Sequence, residues 1–275
     1  TSRPVEPVML REPMRPDQLP TPALVLDRPI MDANIKAMSE HLGRYSKGFR
    51  PNSKTHKCPE IAKLQMAAGA VGICAAQVSE AAVMARAGID SILITSPIST
   101  RHKAQVVNAI VAEPLTLLLV VDSIEGLAAL QAEIDDDKLV GLLLDLDAST
   151  GRTGVRDNEL LLRLLDAMQN DARFYFAGVQ HYAGHVMHVP EFEKRRDKSM
   201  RAWERLADKF ALLEQRGMRP QIVTGGGTGT FDIDMTLEYL TDIQVGSYIF
   251  MDEEYRQVAG ANSDRFQGFE LALTV

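Results

Sequence analysis

The chain has 275 residues, 45% of them hydrophobic and 24% charged, which is typical of a folded globular protein and excludes extensive disorder. The formal net charge of −7 argues against nucleic acid or an anionic membrane surface as the main partner. No apolar run could cross a bilayer or serve as a signal peptide, and Cys58 and Cys74 form no paired spacing, so we expect a cytoplasmic protein without structural zinc or disulfides. Residues 1–20, rich in proline and charge, are predicted to form an irregular arm.

After this arm, short apolar runs alternate with segments of helical spacing. The longest predicted helix covers Pro190–Gly217. The runs read as strands are 21–27, 49–54, 71–76, 91–95, 115–122, 139–147, 174–182, 221–226 and 242–251. Nearly continuous apolar strands are typical of a parallel sheet covered on both faces, so the chain is predicted to be an α/β protein with a (β/α)8 TIM barrel over residues 21–252. Nine strands are one too many for this barrel, so one prediction is wrong or one strand belongs elsewhere.

A lysine follows the second barrel strand, at the end of a barrel where the chemistry is found. Lys54 lies in the run RPNSKTHK, with Arg50, His56 and Lys57 close in sequence. Burial and neighbouring positive charge both lower a lysine pKa, which favours nucleophilic Schiff-base chemistry with a carbonyl cofactor. The alternative is a solvated basic turn, because charge clusters usually lie at the surface.

Glycines follow the last two barrel strands. The run TGGGTG contains Gly225 to Gly227 and then Thr228. Backbone amides can approach an anion closely there and the hydroxyl adds a donor, so the run predicts a phosphate site, with Gly246 and Ser247 as its second wall. A flexible loop is the alternative interpretation.

Histidines and an arginine follow two further strands. His181, His185 and His188 are half of the six histidines in the chain, and their spacing suits acid–base chemistry, metal binding or ordinary polar packing. Arg152 lies in the glycine-flanked turn TGRTG, where it either points at an oxygen atom of a ligand or is an ordinary surface arginine.

Taken together, these segments resemble the D-threonine aldolase and D-serine dehydratase family, the metal-assisted members of the fold-type III, alanine-racemase-like pyridoxal-phosphate enzymes. The resemblance covers residues 21–275 through TPALVLD, RPNSKTHKCPEIA, GICAAQVSEA, STGRTGV, VQHYAGHVMH, TGGGTG and QVGSYIFMD, in that order. It implies pyridoxal 5'-phosphate as cofactor, a D-amino acid as substrate and a homodimer.

The resemblance also implies a smaller C-terminal β-domain, to which the first strand of the chain is joined in the family. Strand 21–27 would then belong to that domain, which accounts for the ninth strand. Residues 253–275 are expected to form a linker and the start of this domain, most of which is missing from the chain. The family's metal ligands also lie beyond this point, so we expect none in this chain and a divalent cation, Mn, Mg or Zn, only where that domain is present.

Position by position, the resemblance implies a role for each candidate residue. Lys54 would form the Schiff base with the cofactor, Arg152 would contact its phenolic oxygen, and Tyr182 would border its ring. His188 matches a histidine implicated in proton transfer near the substrate hydroxyl. The phosphate would be held by Gly226, Gly227, Thr228, Gly246 and Ser247, with Tyr248 close by.

The reaction implied by the resemblance is retro-aldol cleavage of D-3-hydroxy amino acids, with glycine and acetaldehyde as the products from D-threonine. A base removes the hydroxyl proton, the Cα–Cβ bond breaks, and the protonated cofactor ring takes up the electrons, while a metal ion lowers the pKa of the hydroxyl. A dehydratase acting on D-serine or 3-hydroxy-D-aspartate is one alternative, with Lys54 removing the α-proton. A barrel that binds the cofactor without catalysis is another. The motifs CPEIA and GIC-x-x-x-VSEA favour the aldolase.

Overall fold

The structure is a computed structural model that describes residues 15–19, 22–148, 150–260 and 269–274. Its strands are β1 Val25–Leu26, β2 Gly48–Phe49, β3 Ile73–Ala75, β4 Ser91–Ile94, β5 Thr116–Val121, β6 Val140–Asp145, β7 Phe174–His181, β8 Ile222–Gly225, β9 Asp242–Ile243 and β10 Leu273–Thr274. Its helices are α1 Arg28–Gly43, α2 Pro59–Ala67, α3 Val78–Arg86, α4 Arg101–Val111, α5 Ile124–Glu133, α6 Asn158–Gln169, α7 Phe192–Glu204, α8 Ala207–Gln215, α9 Phe231–Asp234 and α10 Glu253–Gly260. Most of the predicted arm lies outside the described residues, and Pro16–Gln18 form a short 3-10 helix.

The predicted (β/α)8 barrel is confirmed. Strands β2 to β9 form one parallel sheet in the order β2-β9-β8-β7-β6-β5-β4-β3. The barrel closes between β2 and β3, because the amide of Val71 donates to the carbonyl of Phe49 at 3.0 Å and the amide of Cys74 donates to that of Pro51 at 2.8 Å. Asn52 and Cys74 also form an isolated parallel bridge at this seam.

The core explains the continuous apolar runs. In β5 residues 117–121 are buried, as is all of β6, because barrel side chains cover one face and the outer helices cover the other. Burial of each such leucine or valine stabilises the folded state by about 1.5–3 kcal/mol relative to an exposed side chain. Side-chain caps begin several of the helices, for example Asp157, whose carboxylate accepts from the amide of Leu160 at the start of α6.

The strands end earlier than predicted at the two positions that matter most. After β2 the chain passes Pro51, which has no amide hydrogen for a sheet, and forms a 3-10 turn at Ser53–Thr55. After β9 it leaves the sheet at Ile243 and forms another 3-10 turn at Ser247–Ile249. Both turns place polar groups at the mouth of the barrel.

The prediction of one long helix over Pro190–Gly217 is wrong, because the segment forms two helices, α7 and α8. The amide of Leu206 donates to the carbonyl of Trp203, three residues back, at 3.0 Å. This tighter turn interrupts the α-helical pattern while Leu206 stays buried.

The ninth predicted strand lies outside the barrel. β1 pairs antiparallel with β10, with Val25 opposite Thr274, in a separate two-stranded sheet. That this sheet belongs to a second domain remains a prediction. The segment predicted as a linker, 253–275, begins with the helix α10. None of the helices in the described ranges has the length and apolar character needed to cross a membrane.

Candidate active site

A cavity of about 240 Å³ lies at the carboxyl ends of the barrel strands. Residues from the ends of β2, β3, β4, β6, β7 and β9 contribute to its wall, so polar groups distant in sequence meet there. The lining residues are Asn52, Lys54, Ala76, Thr95, Ser96, Pro97, Arg152, Thr153, Gln180, Tyr182 and Gln244. Three of the candidate residues predicted from the sequence, Lys54, Arg152 and Tyr182, are among them.

Lys54 is held in the 3-10 turn after β2. The side chain of Asn52 accepts the amide hydrogen of Lys54 at 3.1 Å, and the hydroxyl of Ser53 donates to the carbonyl of Cys74 at 3.0 Å. Burial lowers the pKa of the Lys54 amine, and the positive charge of Arg152 lowers this pKa further. Both effects increase the fraction of the amine that is neutral and nucleophilic.

The positive neighbour of Lys54 differs from the sequence prediction. Arg50 is buried in an ion pair with Asp242, with its Nε 3.3 Å from Oδ1, and Lys57 is exposed and paired with Glu80 at 3.3 Å. Burial lowers the pKa of His56. The cation that lowers the pKa of Lys54 is therefore Arg152, while carboxylates pair with Arg50 and Lys57.

Tyr182 connects the two cationic side chains of the cavity. Lys54 Nζ lies 5.6 Å and Arg152 Cζ 5.7 Å from the centroid of the Tyr182 ring. Arg152 is exposed to solvent, as expected for a surface arginine, and it also lines the cavity, as expected for a residue that contacts a ligand. The ring offers a flat wall beside the amine.

The loops after β8 and β9 meet through Thr228. Its Oγ1 accepts from the amide of Gly246 at 3.4 Å and from the amide of Tyr248 at 3.1 Å. The Lys54 turn also lies against this site, because a Cβ on Gly246 would be 3.1 Å from Thr55 Oγ1. Because Thr228 Oγ1 accepts from both amides, the hydroxyl hydrogen of Thr228 is left to donate, which suits an anion.

The glycines of the first loop are required by close packing. A Cβ on Gly229 would lie 2.0 Å from the carbonyl oxygen of Met187, and Gly226 has a φ of +64°. Among the residues that the structure describes, the amides of Gly227, Thr228 and Ser247 donate to no protein acceptor. These free donors, with the lowered pKa of Lys54, fit a ligand that carries both a phosphate and an aldehyde.

Tyr248 contributes only its backbone amide to the glycine cradle, which consists of Gly225–Thr228, Gly246 and Ser247. Its side chain is fully buried, and the hydroxyl accepts from Gln65 Nε2 at 2.9 Å. Gln65 Oε1 in turn lies 3.2 Å from His56 Nε2. The Tyr248 ring therefore anchors the turn after β9 to α2 and the Lys54 turn.

The three histidines that cluster in the sequence do not meet at one site in the structure. His181 is buried, its Nδ1 lies 3.2 Å from the carbonyl oxygen of Leu146, and burial lowers its pKa to about 4. His188 is exposed beside Glu254, at 3.4 Å, and is not among the cavity-lining residues. Within the described ranges no group of three His, Cys, Asp or Glu side chains could hold a metal ion.

Several site residues were missed by the sequence analysis. Gln180 and Gln244 line the cavity, and buried Asp145 accepts from Gln180 Nε2 at 2.9 Å, with its pKa raised to about 6 by burial. Buried Tyr255 stacks on His188 with ring centroids 4.6 Å apart and bonds to Ser247. A polar residue inside an apolar strand was the available signal for Asp145 and Gln180.

Comparison with known proteins gives the same assignment as the sequence motifs. The family model described as alanine racemase, N-terminal domain, matches residues 26–254. A D-threonine aldolase from Arthrobacter sp is 36% identical over 257 residues, which are 93% of this chain and 66% of that protein. A 3-hydroxy-D-aspartate aldolase from Paracoccus denitrificans (strain Pd 1222) is 30% identical, with 92% of this chain and 66% of that protein covered. The chain thus spans about two thirds of the length of these relatives.

Solved structures agree. The crystal structure of D-threonine aldolase from Filomicrobium marinum has a TM-score of 0.86 at 33% identity, over 93% of this chain and 68% of that one. The D-threo-3-hydroxyaspartate dehydratase from Delftia sp. HT23 has a TM-score of 0.81 at 25% identity, over 93% and 66%. Alanine racemase from Bacillus anthracis, at 17% identity over 91% of this chain and 62% of that one, shares the fold with a TM-score of 0.73. The chain belongs to the alanine racemase N-terminal domain family, within the fold-type III enzymes.

Proposed function

We propose that this protein is a pyridoxal-phosphate-dependent lyase that cleaves D-3-hydroxy amino acids, with D-threonine giving glycine and acetaldehyde. The observation that carries the proposal is Lys54, which lines the cavity and has an amine of lowered pKa, although the residue as a whole is exposed to solvent. The similarity to two proteins named as aldolases supports the reaction class.

The residues of the cavity and the cradle suit the parts of pyridoxal phosphate. Lys54 would take its aldehyde, Arg152 its phenolic oxygen and Tyr182 the face of its ring. The phosphate would be held by Gly226, Gly227, Thr228, Gly246 and Ser247. When bound, this cofactor joins the substrate amine through its aldehyde and accepts electrons from the bond that breaks.

Lys54 and Arg152 would have different electrostatic roles. Desolvation and the charge of Arg152 lower the pKa of Lys54, which increases the neutral fraction of its amine, and a neutral amine can form a covalent bond and later be exchanged for a substrate amine. Arg152 keeps its charge and donates to an anionic oxygen, while Tyr182 limits the positions that a planar ligand can take.

His188 is proposed to move the proton of the substrate hydroxyl. Its Nδ1 lies 3.4 Å from Glu254 Oε1, which favours the tautomer with hydrogen on Nδ1 and leaves Nε2 as the acceptor. Tyr255, stacked on the His188 ring, restricts the orientation of that ring. His188 lies outside the cavity lining, so its partner would be a substrate atom that extends toward solvent.

Dehydration is the second candidate. The similarity to D-threo-3-hydroxyaspartate dehydratase, 27% identical over 243 residues, favours it. In that reaction Lys54 would remove the α-proton, and the hydroxyl would leave instead of the Cα–Cβ bond breaking. The same residues thus serve either outcome, and the products distinguish them.

The test supplies D-threonine, D-serine and 3-hydroxy-D-aspartate separately to the cofactor-loaded protein. Acetaldehyde and glycine from D-threonine are expected, and pyruvate from D-serine without acetaldehyde from D-threonine would indicate the dehydratase. Bound cofactor without any product would indicate a protein that binds the cofactor without catalysis.

Borohydride reduction followed by peptide mapping should place the cofactor on Lys54. Lys57 and Lys63, both exposed and paired with glutamates, are the internal controls. Cofactor on either of them, or on no lysine, would contradict the proposal.

A divalent cation, a homodimer and a cytoplasmic location complete the proposal, and they rest on the family resemblance and the composition. Activity measured after chelation and after addition of Mn²⁺, Mg²⁺ or Zn²⁺ tests the cation. Sedimentation of the loaded protein tests the dimer.

A further inference from the structure

Two amide side chains of the cavity wall, Gln180 and Gln244, form a pair with a fixed direction. Gln180 Nε2 donates to the carbonyl oxygen of Thr95 at 3.2 Å and to Asp145 Oδ1 at 2.9 Å. A backbone carbonyl can only accept, so the nitrogen of Gln180 must face this side. Gln180 Oε1 therefore faces Gln244, whose Nε2 donates to it at 3.0 Å.

A second anchor fixes the other hydrogen of the Gln244 amide. The hydroxyl of Thr224 donates to Asp242 Oδ1 at 2.7 Å, and Arg50 forms an ion pair with this carboxylate. Since the hydroxyl hydrogen is used, Thr224 Oγ1 is left as an acceptor, and it takes Gln244 Nε2 at 3.3 Å. Both hydrogens of the Gln244 amide are therefore occupied, and rotating the amide by half a turn would break both bonds.

One polar atom of Gln244 remains, the carbonyl oxygen Oε1. It accepts from none of the residues that the structure describes, and it is not sealed off from the cavity that Gln244 lines. The comparable oxygens nearby are engaged, because Gln180 Oε1 accepts from Gln244 and Asn52 Oδ1 accepts from the Lys54 amide. The cavity thus presents a fixed, uncharged acceptor that requires a donor from its ligand.

Resting on the proposed cofactor, we propose that Gln244 Oε1 accepts a hydrogen bond from the protonated ring nitrogen of pyridoxal phosphate. The phosphate, the aldehyde and the phenolic oxygen are matched by the glycine cradle, Lys54 and Arg152. The ring nitrogen is the polar group left over, and it donates only when protonated. Gln180 is a positioning residue in this arrangement, because it orients the Gln244 amide.

The proposed hydrogen bond from the ring nitrogen to Gln244 would have an electrostatic effect on the cofactor. Arg152 places positive charge near the ring and disfavours a further proton on it. A carbonyl dipole aimed at the nitrogen opposes that effect, and a protonated ring withdraws electrons more strongly than a neutral one. Gln244 would therefore support the electron-accepting form of the cofactor without adding a charge to the cavity.

The test compares the affinity for pyridoxal phosphate with that for its 1-deaza analogue, which carries C–H in place of the ring nitrogen. The wild-type protein should prefer pyridoxal phosphate about 10- to 100-fold, as expected for a hydrogen bond to a charged group. Gln244→Met, similar in volume but without an acceptor, should bring this ratio close to one. Gln131→Met is the control, because Gln131 is half-buried and bonded to Asp171 but lies outside the cavity lining.

The outcomes separate this inference from the proposed function. An equal preference in the wild type and in Gln244→Met overturns the role of Gln244 and leaves the cofactor assignment intact. Failure of the wild type to bind pyridoxal phosphate overturns both. ¹⁵N NMR of the wild type loaded with ring-labelled cofactor needs no variant to fold: a protonated nitrogen is expected, and an unprotonated one overturns the inference.

Discussion

Arg152 lies close enough to Lys54 to lower the pKa of its amine, although the two residues follow different strands of the barrel. Both approach the ring of Tyr182, at 5.6 Å and 5.7 Å from its centroid. The cationic residues adjacent to Lys54 in sequence do not have this role, because Arg50 and Lys57 are paired with carboxylates. The pKa of Lys54 therefore depends on an electrostatic interaction between residues of two separate strand ends.

Replacing Arg152 by methionine should raise the pKa of Lys54 toward its ordinary value. Burial remains the larger cause of the shift, so the pKa should stay below that value. The measurement is the pH dependence of Lys54 modification by an amine-directed reagent in cofactor-free protein, followed by mass spectrometry. Arg156→Met, in the same loop but paired with Asp147, is the control. An unchanged pH profile in Arg152→Met would show that the guanidinium does not act on Lys54.

Thr228→Val should weaken binding of pyridoxal phosphate about 10-fold and leave binding of pyridoxal, which lacks the phosphate, nearly unchanged. The reason is that Thr228 Oγ1 organises the amides of Gly246 and Tyr248 in the predicted phosphate site. Thr236→Val, which removes a hydroxyl bonded to the carbonyl of Ile233, is the control. Equal losses for the two ligands would place the phosphate elsewhere.

His188→Ala should lower turnover about 10²- to 10⁴-fold, as is typical for the loss of a general acid–base group. The absorption spectrum of the bound cofactor should persist, because His188 is not among the cavity-lining residues. His185→Ala is the control, since that histidine is exposed in the same loop. If His185→Ala abolishes turnover and His188→Ala does not, His185 and not His188 is the counterpart of the family histidine.

Stability should depend on the ionisation of Asp234, which accepts from Ser199, Trp203 and Thr230. Burial raises its pKa from 3.8 to about 6. The stability that the protonated form contributes is fully present below the lower value and is lost as pH rises through the higher one. The unfolding free energy of Asp234→Asn, relative to wild type, should therefore increase by about 1 kcal/mol from pH 5 to pH 7.

Urea denaturation of both proteins at the two pH values measures this change. Asp166→Asn, at an exposed aspartate paired with Arg216, is the control. A constant difference between Asp234→Asn and wild type would contradict the raised pKa.

The barrel and the close packing of its glycine loop were predictable because local patterns carry them. Continuous apolar runs such as 117–121 have few alternatives to a covered parallel strand, and three consecutive glycines allow an approach as close as that of Gly225 to the carbonyl oxygen of His181. The break at Leu206 was not predictable, because the apolar spacing of Pro190–Gly217 is helical on both sides of it.

The sequence by itself determined the order of strands and helices, the position of Lys54 at a strand end and the family of the chain, since these depend on periodicity and on short contiguous motifs. Only the tertiary structure decided which charges act on Lys54, since Arg50 is neutralised by Asp242 and replaced by Arg152. It alone also set the direction of the Gln180 and Gln244 amides, which depends on acceptors supplied by other strands. The physical reason is that electrostatic interactions and hydrogen bonds depend on distance in space, and closure of the barrel brings together groups that are far apart in the chain.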